Sequence, residues 1–354
     1  MAAPSCPFPT APSRYNAVTL AHGGGGTLTG DLIRRIFLPA FGAPTPTLRD
    51  AAPVPGATAP SRLVLTTDSH VVRPIEFPGG DIGKLSVTGT VNDLLVSGAR
   101  PLALTAGFIL EEGLPLETLR RIVQSMAAEA ASIGVPILTG DTKTVERTGD
   151  PPGLYINTAG LGELVIDPPP APENIAPGDA ILLTGDIARH GMAVMGARHE
   201  LAFAEPLASD CANLAAPLLD LYASGIPVHA ARDPTRGGVG GALCELAEAS
   251  NNTFEIDETA LPIHPPVRAA CDLLGFDPLY VANEGCALLF VPAPSVPAAL
   301  DLLRRHPATA QSTPIGRVLA PSPATPPSTV LSRTPLGSLR RLTPPPGEQL
   351  PRIC

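Results

Sequence analysis

Four aspartates set among small residues are the first feature of this sequence that could do chemistry. They are Asp50 (Asp50-Ala51-Ala52), Asp68 (Thr66-Thr67-Asp68), Asp93 (Val91-Asn92-Asp93) and Asp141 (Thr139-Gly140-Asp141-Thr142-Lys143). Magnesium takes oxygen ligands and is usually held by a few carboxylates together with substrate phosphates. Acids at strand ends or turns can converge on one crevice, so the four are read as a metal–nucleotide site. Solvated turn acids are the plain alternative for any single one. His22 is followed by Gly23, Gly24, Gly25 and Gly26, a run of bare N–H groups able to wrap an anion, although a flexible linker explains it equally well. Gly79-Gly80-Asp81-Ile82-Gly83-Lys84 superficially resembles a P-loop. It fails on spacing, and Leu85 stands where a hydroxyl should bind magnesium.

Two further stretches offer polar groups next to apolar elements. Asp233-Pro234-Thr235-Arg236-Gly237-Gly238 opens a helix, with donors suited to phosphate, or with Asp233 or Thr235 serving only as a cap. Ala282-Asn283-Glu284-Gly285 precedes a strongly apolar run. A half-buried carboxyl at Glu284 has a raised pKa and suits proton transfer; a simple turn is the alternative. The chain ends at Cys354, after a run from Leu336 to Gln349 with two glycines and three consecutive prolines. That run reads as a tether able to swing a thiol-bound group into a site. Prenylation is not expected, because the usual box has three residues after the cysteine.

These groups need elements to position them, and the pattern supplies an α/β, mixed α+β, chain. Strands are expected at Leu63–Asp68, Leu102–Leu110, Val135–Asp141, Leu154–Val165, Ala180–Leu183 and Ala287–Val291. Helices are expected at Leu116–Ile133 (with Leu116, Leu119, Ile122, Val123, Met126 and Ala130 on one face), from about Gly191, and at Val239–Ala249, Val267–Leu274 and Val296–Arg305. Asp167–Pro172 reads as an interdomain linker. The expected organisation is an arm over 1–44 carrying the glycine run, domains over 45–166 and 175–335, and a flexible tail over 336–354.

With 354 residues, 44% apolar and 16% charged, the chain is long enough for two cores. A net charge of −9 and 4% aromatics argue against nucleic acid and against a polybasic membrane patch. Six scattered cysteines contain no CxxC pair; Cys211, Cys244, Cys271 and Cys286 sit among apolar residues and read as buried thiols. With no signal-like start and no span-length apolar run, a cytoplasmic location is expected.

In their order along the chain, several runs closely resemble the HypE hydrogenase maturation proteins of the aminoimidazole ribonucleotide synthetase-like, or PurM-like, ATP-binding superfamily. They are HGGGG (22–26), TTDSHVVRPIEFPGGDIGKLSVTGTVNDLLVSGARP (66–101), GFILEEG (107–113), GDTKTVE (140–146), SDC (209–211), RDPTRGG (232–238), DPLYVANEG (277–285) and GEQLPRIC (347–354). The likeness covers nearly everything after about residue 17, and the terminal PRIC is specific to this family. A Pro/Ala insert after Asp50-Ala51-Ala52 departs from the pattern, as does Cys244 at a usually polar position.

The resemblance implies a two-domain PurM-like fold and a homodimer. It implies a carbamoyltransferase partner that loads Cys354, ATP-dependent dehydration of the S-carboxamide to a thiocyanate, and a scaffold complex that accepts the cyanide on iron. It also implies that Asp50, Asp68, Asp93 and Asp141 hold Mg2+ and ATP. Gly23–Gly26, Asp81, Asn92, Gly140, Thr142, Asp233 and Thr235 are then the remaining nucleotide contacts, with Lys143 and Glu284 near the carboxamide. Two other readings are open: a phosphotransferase acting on a free small molecule, and a non-catalytic carrier of a C-terminal thiol adduct.

Overall fold

The computed structural model describes residues 27–37, 51–53, 62–201, 207–322 and 326–344. Gly23–Gly26, Asp50 and Cys354 therefore lie outside the described residues. After α1 (Thr27–Leu32), the strands β1 (Ala52–Pro53), β2 (Leu63–His70), β5 (Ala99–Glu111), β6 (Ile137–Val145) and β7 (Leu154–Leu164) form one sheet in the order β1-β2-β7-β5-β6. The β5–β6 pair is parallel and the others antiparallel, so this sheet is mixed. A short hairpin of β3 (Glu76–Phe77) and β4 (Gly80–Asp81) leads into α2 (Ile82–Val96); α3 (Leu116–Ile133) packs beside it.

The α3 helix has the bounds its periodicity predicts and closes at Gly134, but Leu116 and Val123 stay exposed while Ile122, Met126 and Ala130 go inside. Sequence reasoning missed α2. Only its Lys84 and Asp93 escape burial, so the helix has no polar face to produce a helical period. It comes this close to the sheet because β7 carries Gly160: a Cβ there would sit 2.8 Å from the Thr90 methyl. Asp93, expected at a strand end or turn, is therefore an interior helix residue.

The second sheet has seven strands in the order β14-β13-β10-β12-β8-β11-β9. In chain order they are β8 (Asp179–Leu183), β9 (Ala230–Arg232), β10 (Thr253–Asp257), β11 (Leu288–Pro292), β12 (Thr313–Val318), β13 (Thr329–Arg333) and β14 (Leu339–Leu342). Five helices accompany them: α4 (Arg189–Arg198), α5 (Ala215–Ala223), α6 (Gly238–Ser250), α7 (Pro265–Leu274) and α8 (Val296–Leu303). The segment read as a tail from 336 onward thus still contributes a paired strand, with Leu342 buried opposite Val330. Cys211, Cys244, Cys271 and Cys286 are buried free thiols, as their apolar neighbours predict. No described helix is long and apolar enough to cross a membrane.

One core cluster runs through both halves, joining Leu85, Val91 and Leu104 to Leu182, Met192, Leu218 and Leu289. Polar bonds fix the register of that contact. The Asn92 side chain accepts from the Leu214 N–H (2.9 Å) and donates to the Ala212 carbonyl (3.1 Å), while the Tyr222 hydroxyl donates to the Leu95 carbonyl (2.7 Å). Asn92, expected to bind nucleotide, is thus a tie between the halves. Asn92→Ala strands a buried donor and its acceptor, which should cost about 2–4 kcal/mol. The measurement is the urea midpoint, and an unchanged midpoint would show the tie to be dispensable.

Candidate functional site

The turn before β11 is held from three directions by one buried amide. Asn283 accepts from the Ala188 N–H (2.6 Å) and donates to the carbonyls of Pro234 (2.8 Å) and Val281 (3.1 Å). It therefore joins the loop before α4, the loop before α6 and its own turn. The next residue is fixed by a carboxylate: Asp210 Oδ2 accepts from the N–H groups of Glu284 (3.1 Å) and Gly285 (3.0 Å), and the Glu284 carbonyl accepts from Ala212 (3.3 Å). Only glycine fits at 285, where a Cβ would lie 1.9 Å from the Asp210 carbonyl oxygen.

This scaffold holds Glu284 almost wholly out of solvent, and its Oε1 has no hydrogen-bond partner. Burial pushes its carboxyl well above the usual range, and Asp68, Asp233 and Asp210 add to the rise while Arg236 opposes it. The Asp210 carboxyl is raised as well, chiefly by burial against the pull of Arg189, and its Oδ1 also lacks a partner. Asp186, 2.9 Å from Arg189, is raised by burial too. The Cys211 thiol meets the Thr88 hydroxyl at 3.3 Å, and burial raises it far above the range of a reactive thiolate.

From the first sheet this cluster is met by Asp68, whose field acts on Glu284. Asp68 shares a face of β2 with buried Thr66 and His70, and His70 Nε2 lies 3.4 Å from Asp68 Oδ2. Burial lowers the His70 pKa, so the ring opposes the Asp68 carboxylate as a mainly neutral group. Asp93 lies one helical turn beyond Gly89, where a Cβ would sit 3.2 Å from Asp68 Oδ2, and accepts from the Thr66 hydroxyl (2.8 Å). Asp68 and Asp93 therefore line one strip between β2 and α2.

Asp141 does not join them within the chain. Buried Ala106 lies on the helix side of the sheet and pairs with Thr158 of β7, which in turn pairs with Asp68. Ala106 also pairs with Gly140, so Gly140 and Thr142 face the helix side, whereas Asp141 and Lys143 face the opposite side. Three strand spacings, about 14 Å, separate β2 from β6 as well. Both side chains are mostly exposed and form an ion pair at 2.6 Å, which holds the Asp141 carboxyl below its usual range. Of the four acids expected to converge, Asp68 and Asp93 share a strip, Asp141 stands apart from them within this chain, and Asp50 lies outside the described residues. Among the described residues, no group of three or more His, Cys, Asp or Glu is placed to hold a metal ion.

The remaining expectations divide. Asp81 is the N-cap of α2, with Oδ1 accepting from Gly83 (2.7 Å) and Lys84 (3.0 Å). Asp233 is buried beside Glu284, and Thr235 lies at the start of α6, whose first turn has no side-chain cap. Sequence reasoning missed Asp210, Asn283, His70, Asp186 and Arg189. The first three lay inside runs already singled out (SDC, DPLYVANEG and TTDSHVV), but nothing local distinguishes a buried carboxylate from an exposed one.

Two domain families match the chain: AIR synthase related protein, N-terminal domain, over residues 49–164, and the corresponding C-terminal domain over 176–324. The carbamoyl dehydratase HypE of Rhodobacter capsulatus is 46% identical over 346 residues, covering 96% of this chain and 99% of that protein. A crystal structure of HypE in complex with ATP superposes with a TM-score of 0.80 at 43% identity, over 96% of this chain and all of that one. A HypE–HypF complex gives a TM-score of 0.81 at 41% identity, over 89% of this chain and 99% of that one. With two PurM-like domains and this identity over nearly its whole length, the chain belongs to the HypE family of hydrogenase-maturation carbamoyl dehydratases.

Proposed function

We propose that this chain uses ATP to dehydrate an S-carboxamide on its own Cys354 to a thiocyanate, whose cyanide is passed to iron of a nickel–iron hydrogenase on a scaffold complex. A carbamoyltransferase loads the thiol beforehand; a relative's complex with HypF supports such a partner. The observation that carries the reading is Glu284, a buried carboxyl with one unpartnered oxygen and a raised pKa. An amide oxygen is a poor leaving group, so it first attacks the γ-phosphorus of ATP and ADP departs. Both nitrogen protons then leave, one as the oxygen is phosphorylated and one as the C–O bond breaks and phosphate departs. The products are thiocyanate, ADP and phosphate, with the amide oxygen in the phosphate. A carboxyl whose pKa burial has raised is, once ionised, a stronger acceptor for such a proton than an exposed one.

Asp68 and Asp93 fit magnesium, which needs only one or two carboxylates beside the phosphates. They would hold it between β2 and α2, where it would neutralise the triphosphate. The backbone N–H groups at the start of α6 and the Thr235 hydroxyl suit the nucleotide phosphates, which Asp233, as an acid, would meet only through a bound cation. We also propose a homodimer. Leu65, Leu102, Ile109 and Leu138 are exposed on the first sheet or its edge, and the face carrying Asp141 and Lys143 is not the one its helices cover. A second copy packed on that face would give Asp141 and Lys143 a place in the site that they do not have within one chain.

Three outcomes test these readings. In mass analysis of the carbamoylated C-terminal peptide, the wild type should lose one water only when ATP is supplied, and Cys354→Ser should form no thiocyanate while still binding ATP. Water loss without ATP would overturn the assignment.

The second outcome concerns pH. Folded Glu284 keeps its proton above the ordinary carboxyl value of 4.5, so the folded state binds more protons than the unfolded chain in the window above it. Stability then falls as pH rises through that window. Glu284→Gln should flatten this fall and be the more stable of the two proteins at pH 8, with the higher Tm, while dehydration is lost. Equal pH slopes in the two proteins would contradict the buried proton.

Third, sedimentation at micromolar concentration should show a dimer with about 2,000 Å² or more buried. A fully active monomer would refute it.

A further inference from the structure

His70 brings a buried polar atom up to a carboxylate that still reaches water. The Asp68 side chain is 39% exposed and that of His70 only 2%, so the ring backs the carboxylate from the protein interior. Asp68 Oδ1 accepts from the Ser69 N–H at 2.8 Å, and Oδ2 lies 3.4 Å from His70 Nε2. That second contact lacks the alignment of a hydrogen bond, and Nε2 has no other partner. Such a buried nitrogen is costly unless something makes use of it. Helix α2 closes over the pair: a Cβ at Gly89 would lie 3.0 Å from His70 Cε1 and 3.2 Å from Asp68 Oδ2, so only glycine leaves room for both.

We infer that His70 is a positioning residue, which donates from Nε2 to Asp68 Oδ2 and so fixes the plane of the carboxylate that faces the magnesium of Mg–ATP. This rests on the proposed place of magnesium at Asp68 and Asp93. A bare nitrogen at Nε2 would set lone pair against lone pair, so the carboxylate selects the ring form with its hydrogen there. A small rotation of the carboxylate then completes the bond. An ionised carboxyl offers about four lone-pair sites, and the Ser69 and His70 donors take one on each oxygen. The remaining sites are left for a cation on the side that water reaches. Donors behind a metal-binding group act in this way, by holding its orientation before the metal arrives.

The test is the affinity of the full-length protein for AMP-PNP, a non-hydrolysable ATP analogue, in excess magnesium and again in EDTA. The ratio of the two is the gain that magnesium confers. His70→Leu keeps an apolar side chain beside Gly89 and removes the donor. It should cut the gain about tenfold and leave the EDTA affinity unchanged. His70→Gln, whose amide N–H reaches about as far as Nε2, should recover most of the gain. A wild-type gain in His70→Leu overturns the inference, as does a Gln variant no better than Leu. So does a matching loss of affinity in EDTA, because His70 would then support the site as a whole rather than aim one carboxylate. If His70→Leu does not fold, His70→Phe takes its place in the same comparison. An Asp68→Asn protein that keeps the full gain would remove the cation from Asp68, and the role of His70 with it.

Discussion

A carboxylate kept out of water to hold two backbone N–H groups is the interaction on which the rest of this site depends. Asp210 grips the turn at Glu284 and Gly285, and the contact at Gly285 is too close for any side chain. Such an arrangement places one buried acid beside another, which by itself disfavours folding. It persists because Asn283 ties the surrounding loops and because Arg189 lies near Asp186 and Asp210. The raised Glu284 carboxyl follows from that enclosure rather than from any special chemistry of its own.

The second constraint is alternation in the first sheet. Each strand offers one row of side chains to α2 and α3 and the next row to the far face. Asp68 and Asp141, both read as strand-end acids, therefore part company once register is fixed. The face that keeps Asp68 is closed by its helices; among the described residues no helix covers the face that shows Asp141 and Lys143. A function that uses both sets draws on two surfaces, and a symmetric pair of chains is the simplest way to join them.

The sequence made amphipathic elements legible and left buried ones obscure. Helix α3 was readable in its bounds and in Ile122, Met126 and Ala130, because a polar face alternates with them, although Leu116 and Val123 stay outside. Helix α2 was not, since burial on all sides erases the period. Glu284 was readable as a carboxyl before an apolar strand. Asp210 was not, because its role lies in accepting backbone bonds from residues more than seventy positions away. Asp81 and Asn92 stood in the right runs for ligand contacts, yet one caps a helix and the other links the two halves. A motif marks a neighbourhood, and long-range hydrogen bonds decide what each residue does there.

The unbroken core carries a consequence for how the molecule comes apart. Two sheets and two domain families would ordinarily describe two bodies, each able to melt alone. Here Leu85 and Leu104 share one apolar cluster with Leu182 and Leu289, and Asn92 and Tyr222 stitch the same boundary. Separating the halves would expose the interior of both. The calorimetric unit is therefore the whole described body, and a cut in the linker between the sheets would leave a nicked protein that still holds together.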